Sequence, residues 1–232
     1  ADSDVLVENY RPGVMKRFGL DYASIKDQFP RLIYLSVSAY GQTGPNWDRP
    51  GFDPVLQAES GMMSLTGEAD GPPLRHALSL VDTMTGLQSV GAVCAALLAR
   101  EKGGKGQHID LALMDMAVAS LGNAGLFYLC SGAQPQRAGN SHMTSTPTNL
   151  FETADGPIYM ALGTNRLYGQ LCRDVLERPD LVDDPRFKEP GDRLENRPAL
   201  FGILAEIFAT RPRDEWLKRM RHLPSGPVRG VG

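Results

Sequence analysis

Cysteine is scarce in this chain, with three in 232 residues, at Cys94, Cys130 and Cys172. The odd count and the lack of any CxxC pair argue against a disulfide framework and against a thiolate zinc site, and point to a reducing cytoplasm. The four histidines, His76, His108, His142 and His222, lack metal-ligand spacing, so no metal is expected. Neither sign of charge is in large excess: 24 Lys and Arg stand against 27 Asp and Glu, a net charge of −3. No basic field therefore invites nucleic acid or an anionic membrane. The sequence shows no signal peptide, and no apolar run is expected to reach the length of a membrane span. A GxxxxGK[ST] phosphate loop, a GxGxxG turn after a strand and a GxSxG elbow are all missing, which removes the commonest nucleotide-loop and serine-hydrolase readings.

What is present is ordinary for a soluble globular protein able to bury a core: 42% hydrophobic and 22% charged residues. Asp4 to Val7 reads as a short buried strand, followed by a Pro12-led helix ending at Gly19 and a second helix behind Asp21. Arg31 to Val37 is rich in β-branched and aromatic residues and reads as a strand. A loop dense in glycine and proline then leads to Asp53-Pro54, a cap-plus-first-turn pair for a helix through about Leu65. Gln107 to Met114 alternates as a strand does, and a second buried helix from Met116 to about Cys130 follows, with Asp115 as its cap. Strands alternating with helices imply an α/β fold, a Rossmann-like, mainly parallel sheet covered by helices over residues 1–130.

Composition shifts after that. Residues 131–147 form a polar Gly/Ser/Thr-rich connection, a linker or active-site loop. Two extended runs around Ala154-Asp155-Gly156 read as a hairpin, with helices from Thr164, about Arg193 and Arg213, so residues 148–225 make a smaller α+β domain. Residues 226–232 read as the start of a return segment. The chain begins without a Met and stops inside what reads as a new element, which suggests a piece of a longer protein.

The stretch from Arg75 to Arg100 organises the rest. A short extended segment, Arg75 to Val81, places Asp82 at the mouth of a long helix whose Met84, Leu87, Val90, Cys94, Leu97 and Leu98 recur at three- and four-residue steps. That pattern, with small residues on the other faces, suits a helix buried on most sides. Asp82 is a cap candidate. It is also a nucleophile candidate, because a strand end followed by a helix N-terminus is where open α/β sheets place ligands, and the helix dipole and amides favour an ionised carboxylate there. Asp53, Asp110 and Asp115 are acidic candidates of the same kind. Arg11, Lys16 and Arg17 are basic enough to meet phosphates, or form a solvated helix face.

The runs DVLVENYRPGVMKRFGLDYASI and PRLIYLSVSAYGQTGPNWDRPGFDPVLQAESGMMSLTG, then DGPP, the Asp82 helix, GKGQHIDLALMD and RAGNSHMTSTP resemble, in this order, the family III CoA-transferases. This is the CaiB/BaiF group of the formyl-CoA and carnitine CoA-transferase type, with the α-methylacyl-CoA racemases as relatives. The resemblance implies an acyl-CoA:carboxylate CoA-transferase with Asp82 as the aspartate that alternately carries acyl and CoA groups. It implies that Asn9, Tyr10, Arg11 and Arg17 hold coenzyme A and that Pro50, Gly51, Phe52 and Asp53 form a further CoA- and active-site loop. Gly139, Asn140 and Ser141 match a loop near the acyl group. Coenzyme A or acyl-CoA is then a substrate rather than a resident cofactor, a small carboxylic acid is the other partner, and two chains interlock as a homodimer. The family's opening segment and its C-terminal return are missing from this sequence. Racemising relatives carry a histidine where this chain has Phe52, and a racemase needs an acid and a base on opposite faces of the α-carbon, which favours transfer. A racemase-like enzyme and a non-catalytic acyl-CoA-binding fragment are the alternatives.

Overall fold

The structure is a computed structural model that describes residues 3–223 and 228–229. They divide into two units between Arg137 and Ala138. The first unit runs β1 (Val5–Glu8), α1 (Val14–Arg17), α2 (Tyr22–Ile25), β2 (Ile33–Ser38), α3 (Asp53–Glu59), α4 (Met62–Leu65), α5 (Leu80–Gly103), β3 (His108–Ala112), α6 (Leu113–Ala119) and α7 (Gly122–Ser131). Its sheet has the order β1-β2-β3 and every pair is parallel, with Val5 opposite Ile33 and Leu35 opposite Ile109. The central strand reads Ile-Tyr-Leu and is almost wholly buried, as a parallel strand with helices on its faces must be. Leu56 of α3, Val81 of α5 and Leu113 and Ala117 of α6 close a core beside it.

Several helices differ from the sequence reading, each for a local reason. The helix expected from Asp53 to Leu65 breaks in two because Gly61 takes φ 88°, a left-handed conformation that glycine adopts without steric cost. The helix expected from Met116 to Cys130 is two helices, α6 and α7, bent by 78° at Ser120-Leu121. Asp115 lies inside the first turn of α6, whose cap position is Ala112. The segment before α5 is irregular backbone, not a strand.

α5 departs furthest from the sequence pattern. Its buried residues are Val81, Thr85, Ala96 and Arg100, a stripe of mostly small side chains laid toward the sheet. The apolar positions that were expected to face a core, Leu87, Val90 and Leu98, are 60–71% exposed, and Cys94 is exposed as well. α7, expected to be buried, has no buried residue, and Leu126 and Leu129 stand open. By length and composition α5 is also long and apolar enough to cross a membrane, with a mean hydropathy of 1.3, against the expectation that no run reaches that length. In this fold its far end is tied into the unit by buried Arg100, which pairs with Asp4 at 2.9 Å and donates to the Arg31 carbonyl at 3.1 Å.

The second unit is built on a hairpin of β4 (Thr148–Glu152) and β5 (Pro157–Ala161), with α8 (Asn165–Gln170), a π turn at Leu171–Val175, α9 (Asp180–Asp183), α10 (Pro190–Glu195), α11 (Arg197–Phe208) and α12 (Arg213–Arg219). A short β6 (Val228–Arg229) pairs antiparallel with β5, Tyr159 opposite Val228. The rest of the segment read as a return from residue 226 lies outside the described residues. Phe151, Ile158, Phe187, Leu204, Phe208 and Trp216 fill the core of this unit. Thr164 caps α8 by accepting from the Leu167 amide. The helix read from about Arg193 is interrupted at Asn196, between α10 and α11. Arg193 is fully buried and donates to the carbonyls of Thr146, Gly163, Phe187 and Lys188 and to the Asn165 side chain.

Candidate active site

A cavity of about 730 Å³ opens in the first unit beyond the carboxyl ends of β1 and β2. That is where open parallel sheets take ligands, because the loops leaving the strands diverge there. Asn9, Tyr10 and Arg11 come from the loop after β1, Ser38 and Ala39 from the end of β2, Pro50 to Asp53 from the loop entering α3, and Asp82 from the first turn of α5. Segments far apart in the sequence are thereby brought to one hollow by two strand ends and two helix starts.

Asn9, Tyr10, Arg11, Pro50, Gly51, Phe52, Asp53 and Asp82 all line this cavity. Arg17 does not line it, since it lies in the last turn of α1, and its neighbour Lys16 faces a smaller cavity of about 170 Å³. Gly139, Asn140 and Ser141 belong to the second unit. Asp110 and Asp115 are outside the lining; the Asp110 carboxylate accepts from the Gln42 amide at 2.9 Å and so holds the turn that follows β2. Among the described residues no group of three His, Cys, Asp or Glu side chains could hold a metal ion.

The sequence makes Asp82 a helix cap and an anion stabilised by amides, and the geometry differs on both points. The cap position is Ser79 and Asp82 is the third residue of α5, with no described residue donating a hydrogen bond to its carboxylate. The amides at this helix end belong to Asp53: Val81 N–H donates to Asp53 Oδ2 at 2.8 Å and Asp82 N–H donates to the same oxygen at 3.2 Å. Partial desolvation against the cavity wall and, after it, the Asp53 charge push the Asp82 carboxyl above its ordinary range. Asp82 remains exposed at the open side of the cavity.

Asp53 itself is buried and opens α3 as its first residue, behind Phe52. Its other oxygen accepts from Gln57 Nε2 at 2.6 Å, one helical turn on. The rim is aromatic and basic. Tyr10 and Phe52 are exposed, and Arg11 donates to the Asp48 carbonyl at 2.9 Å. Arg49 is held by Glu59 at 2.5 Å and sits over the Tyr40 ring, while Tyr40 donates to Glu59 at 2.7 Å.

Sequence reasoning missed the wall beside Asp82. Thr85, Gly86 and Ser89 line the cavity from the next turns of α5. Their spacing of three, four and seven from Asp82 places them on one helix face, and small side chains at that spacing are a readable sign of a face something approaches closely.

The family model described as CoA-transferase family III matches residues 1–232. The chain is 40% identical over 232 residues to an acyl-CoA transferase of Fusarium pseudograminearum (strain CS3096), covering 99% of this chain and 51% of that protein. It is 40% identical to the acetyl-CoA:oxalate CoA-transferase of Acetobacter aceti, covering 99% of this chain and 59% of that one. A crystal structure of a CAIB/BAIF family protein from Brucella suis superposes with a TM-score of 0.83 at 38% identity, over 99% of this chain and 61% of its own. The chain thus spans little more than half the length of the curated relatives it matches, and all of that span carries the likeness. The chain belongs to CoA-transferase family III.

Proposed function

We propose that the protein containing this chain transfers coenzyme A from an acyl-CoA to a free carboxylate, with Asp82 as the nucleophile. The observation that carries the reading is a carboxylate on the wall of a cavity of about 730 Å³ with no hydrogen-bond donor of its own among the described residues. A carboxylate spent on capping or ion pairing is a poor nucleophile, and this one is unspent.

The chemistry balances without a cofactor. An Asp82 oxygen attacks the thioester carbon of the donor, and the C–S bond breaks to give an aspartyl mixed anhydride and CoA thiolate. The thiolate attacks the aspartyl carbonyl, the bond from that carbon to the bridging oxygen breaks, and the donor leaves as its carboxylate with that oxygen. The remaining aspartyl-CoA thioester is attacked by the acceptor carboxylate, regenerating thiolate and an anhydride. The thiolate then takes the acceptor acyl group and frees Asp82. Both intermediates hydrolyse if water reaches them, so the open side of the cavity must be covered during turnover. The exposed apolar faces of α5 and α7 support a second copy of the chain as that cover, in a homodimer. Asn9, Tyr10, Arg11 and Phe52, which line the same cavity, are proposed to hold coenzyme A.

The test uses the full-length protein with acetyl-CoA and oxalate, the pair named for the Acetobacter aceti relative. Hydroxylamine added during turnover should convert Asp82 to its hydroxamate, read by mass spectrometry. Near-normal transfer by Asp82→Ala would refute the assignment. Binding of acetyl-CoA without any adduct would leave a non-catalytic acyl-CoA-binding protein.

A further inference from the structure

The start of α5 carries two local capping groups that are not used. Ser79 at the cap position makes no side-chain hydrogen bond to the helix, and Asp82 at the third position is where an acid ordinarily reaches back to the cap amide. The cap comes instead from Asp53, 28 and 29 residues earlier in the chain, through Val81 N–H and Asp82 N–H. Gln57 secures that arrangement. Its Nε2 donates to Asp53 Oδ1 at 2.6 Å and to the Leu78 carbonyl at 3.3 Å, and its Oε1 accepts from the His76 amide at 2.9 Å. Asp53 and Gln57 are 3% and 0% exposed, so α3 presents two buried polar side chains, one turn apart, to the backbone that leads into α5. Burying such a pair is costly unless every donor and acceptor is met, and here the Asp53 oxygens meet three donors.

We infer that Asp53 is a positioning residue for the reaction: by capping α5 from outside, it fixes the backbone of Asp82 and leaves the Asp82 carboxylate free for the substrate. The inference rests on the reading of Asp82 as nucleophile. A negative charge at a helix N-terminus is favourable, and the fold gives that place to a residue that does not react. The reacting carboxylate is consequently neither tied down nor stabilised as an anion by those amides. The like charge of Asp53 nearby also disfavours ionised Asp82, so the two carboxylates are electrostatically linked as well as joined through the amides.

The experiment compares wild type, Asp82→Ala, Asp53→Asn and the double variant Asp53→Asn/Gln57→Glu in the full-length enzyme. Transfer from acetyl-CoA to oxalate is measured as kcat and KM across pH. Asp53→Asn keeps an oxygen for the two amides and removes the charge, while setting its NH2 against Gln57 Nε2. The expected result is a loss of kcat of about 100-fold with little change in the KM for acyl-CoA. The acidic limb of the kcat profile should move to lower pH, since removing a neighbouring negative charge eases ionisation of Asp82. The double variant restores an acceptor for the side-chain amide introduced at position 53 while keeping one for the His76 amide, and should recover part of kcat; because Gln57→Glu returns a negative charge beside the site, the displacement of the limb is read in Asp53→Asn. It also carries the test if Asp53→Asn fails to fold. An acidic limb that stays in place in Asp53→Asn, or a double variant that recovers no kcat, overturns the inference, because a cap of purely structural value lowers stability without moving the titration. Activity persisting in Asp82→Ala would instead sink the nucleophile assignment, and is read separately.

Discussion

A methyl group at position 51, on the cavity wall, should disable the site by displacing the backbone around it. A Cβ built on Gly51 would lie 2.6 Å from the Ala39 Cβ, whereas its next contacts, with Tyr40 and Leu56, are ordinary at 3.4 and 3.5 Å. Carbon atoms rest at about 3.5–4.0 Å, so Gly51→Ala requires the loop entering α3 to part from the end of β2 by about 1 Å. Neither side yields freely. The Ala39 carbonyl accepts from the Met114 amide at 3.0 Å, and Asp53, two residues after Gly51, is held through its carboxylate to α5. The displacement therefore passes to Asp53 and from it to the backbone of Asp82. A misplacement of that size costs about 100-fold in rate, and overpacking of this kind about 1–3 kcal/mol in stability. The assay is CoA transfer by the full-length enzyme with thermal melts alongside, repeated in the double variant Gly51→Ala/Ala39→Gly, where the opposing methyl is gone. Activity should return in the double variant. Gly51→Ala with activity within roughly threefold of wild type, or a double variant no better than the single, would refute the steric argument.

Three further outcomes are expected. Asp82→Asn should be more stable than wild type at neutral pH, with the gain vanishing in acid: the folded state raises this carboxyl, so folding favours its protonated form and that contribution is lost as pH rises through the folded value. Chemical unfolding at two pH values checks it, and equal stability at both refutes it. Arg193→Met should destabilise the second unit by about 3 kcal/mol, because buried acceptors at Thr146 and Phe187 lose their donor while saved desolvation of the guanidinium offsets only part of that. Fluorescence of Trp216, buried in the same core, should report a lower denaturant midpoint, and an unchanged one counts against the argument. Leu87→Ser/Leu98→Ser, at exposed positions of α5, tests the proposed homodimer: secondary structure should stay intact while the mass of the full-length protein in light scattering falls to that of one chain, and an unchanged mass would remove that face from the interface.

Legibility in the sequence followed the range of the forces involved. β2 and β3 were readable because alternation and β-branching are local, and the hairpin because Ala154-Asp155-Gly156 sits between two extended runs. That Asn9 to Arg11, Pro50 to Asp53 and Asp82 share a cavity wall was to be expected only from a family resemblance, which also named Arg17, and Arg17 lies outside the lining. α5 was misread for a physical reason. Periodicity tells which residues share a face, not what covers it, and the residues laid on the sheet, Val81, Thr85 and Ala96, are too small to register as an apolar stripe. The break at Gly61 was signalled by the glycine, whereas the bend at Ser120-Leu121 had no comparable local mark. The partners of Asp53 could not be read at all, since a side chain capping a helix 28 residues away leaves no spacing rule behind.

With Asp82 in the proposed role of nucleophile, that long-range cap resolves a conflict that the site would otherwise contain. A nucleophilic carboxylate near a helix N-terminus gains shelter at a strand-end cavity, but four free N–H groups compete there for its oxygens, and every bond they make lowers its basicity. Moving the reactive group away from the helix would forfeit the rigid backbone that aims it. Supplying a second carboxylate from α3 meets both needs: the amides are satisfied, the helix start is fixed, and Asp82 stays available on a backbone held at 3.2 Å from a buried anchor. The arrangement also explains why α3 begins with an acid that is almost wholly enclosed and why Gln57, not an apolar residue, follows one turn later. Each would be a liability in isolation, and together they leave no Asp53 oxygen without a donor.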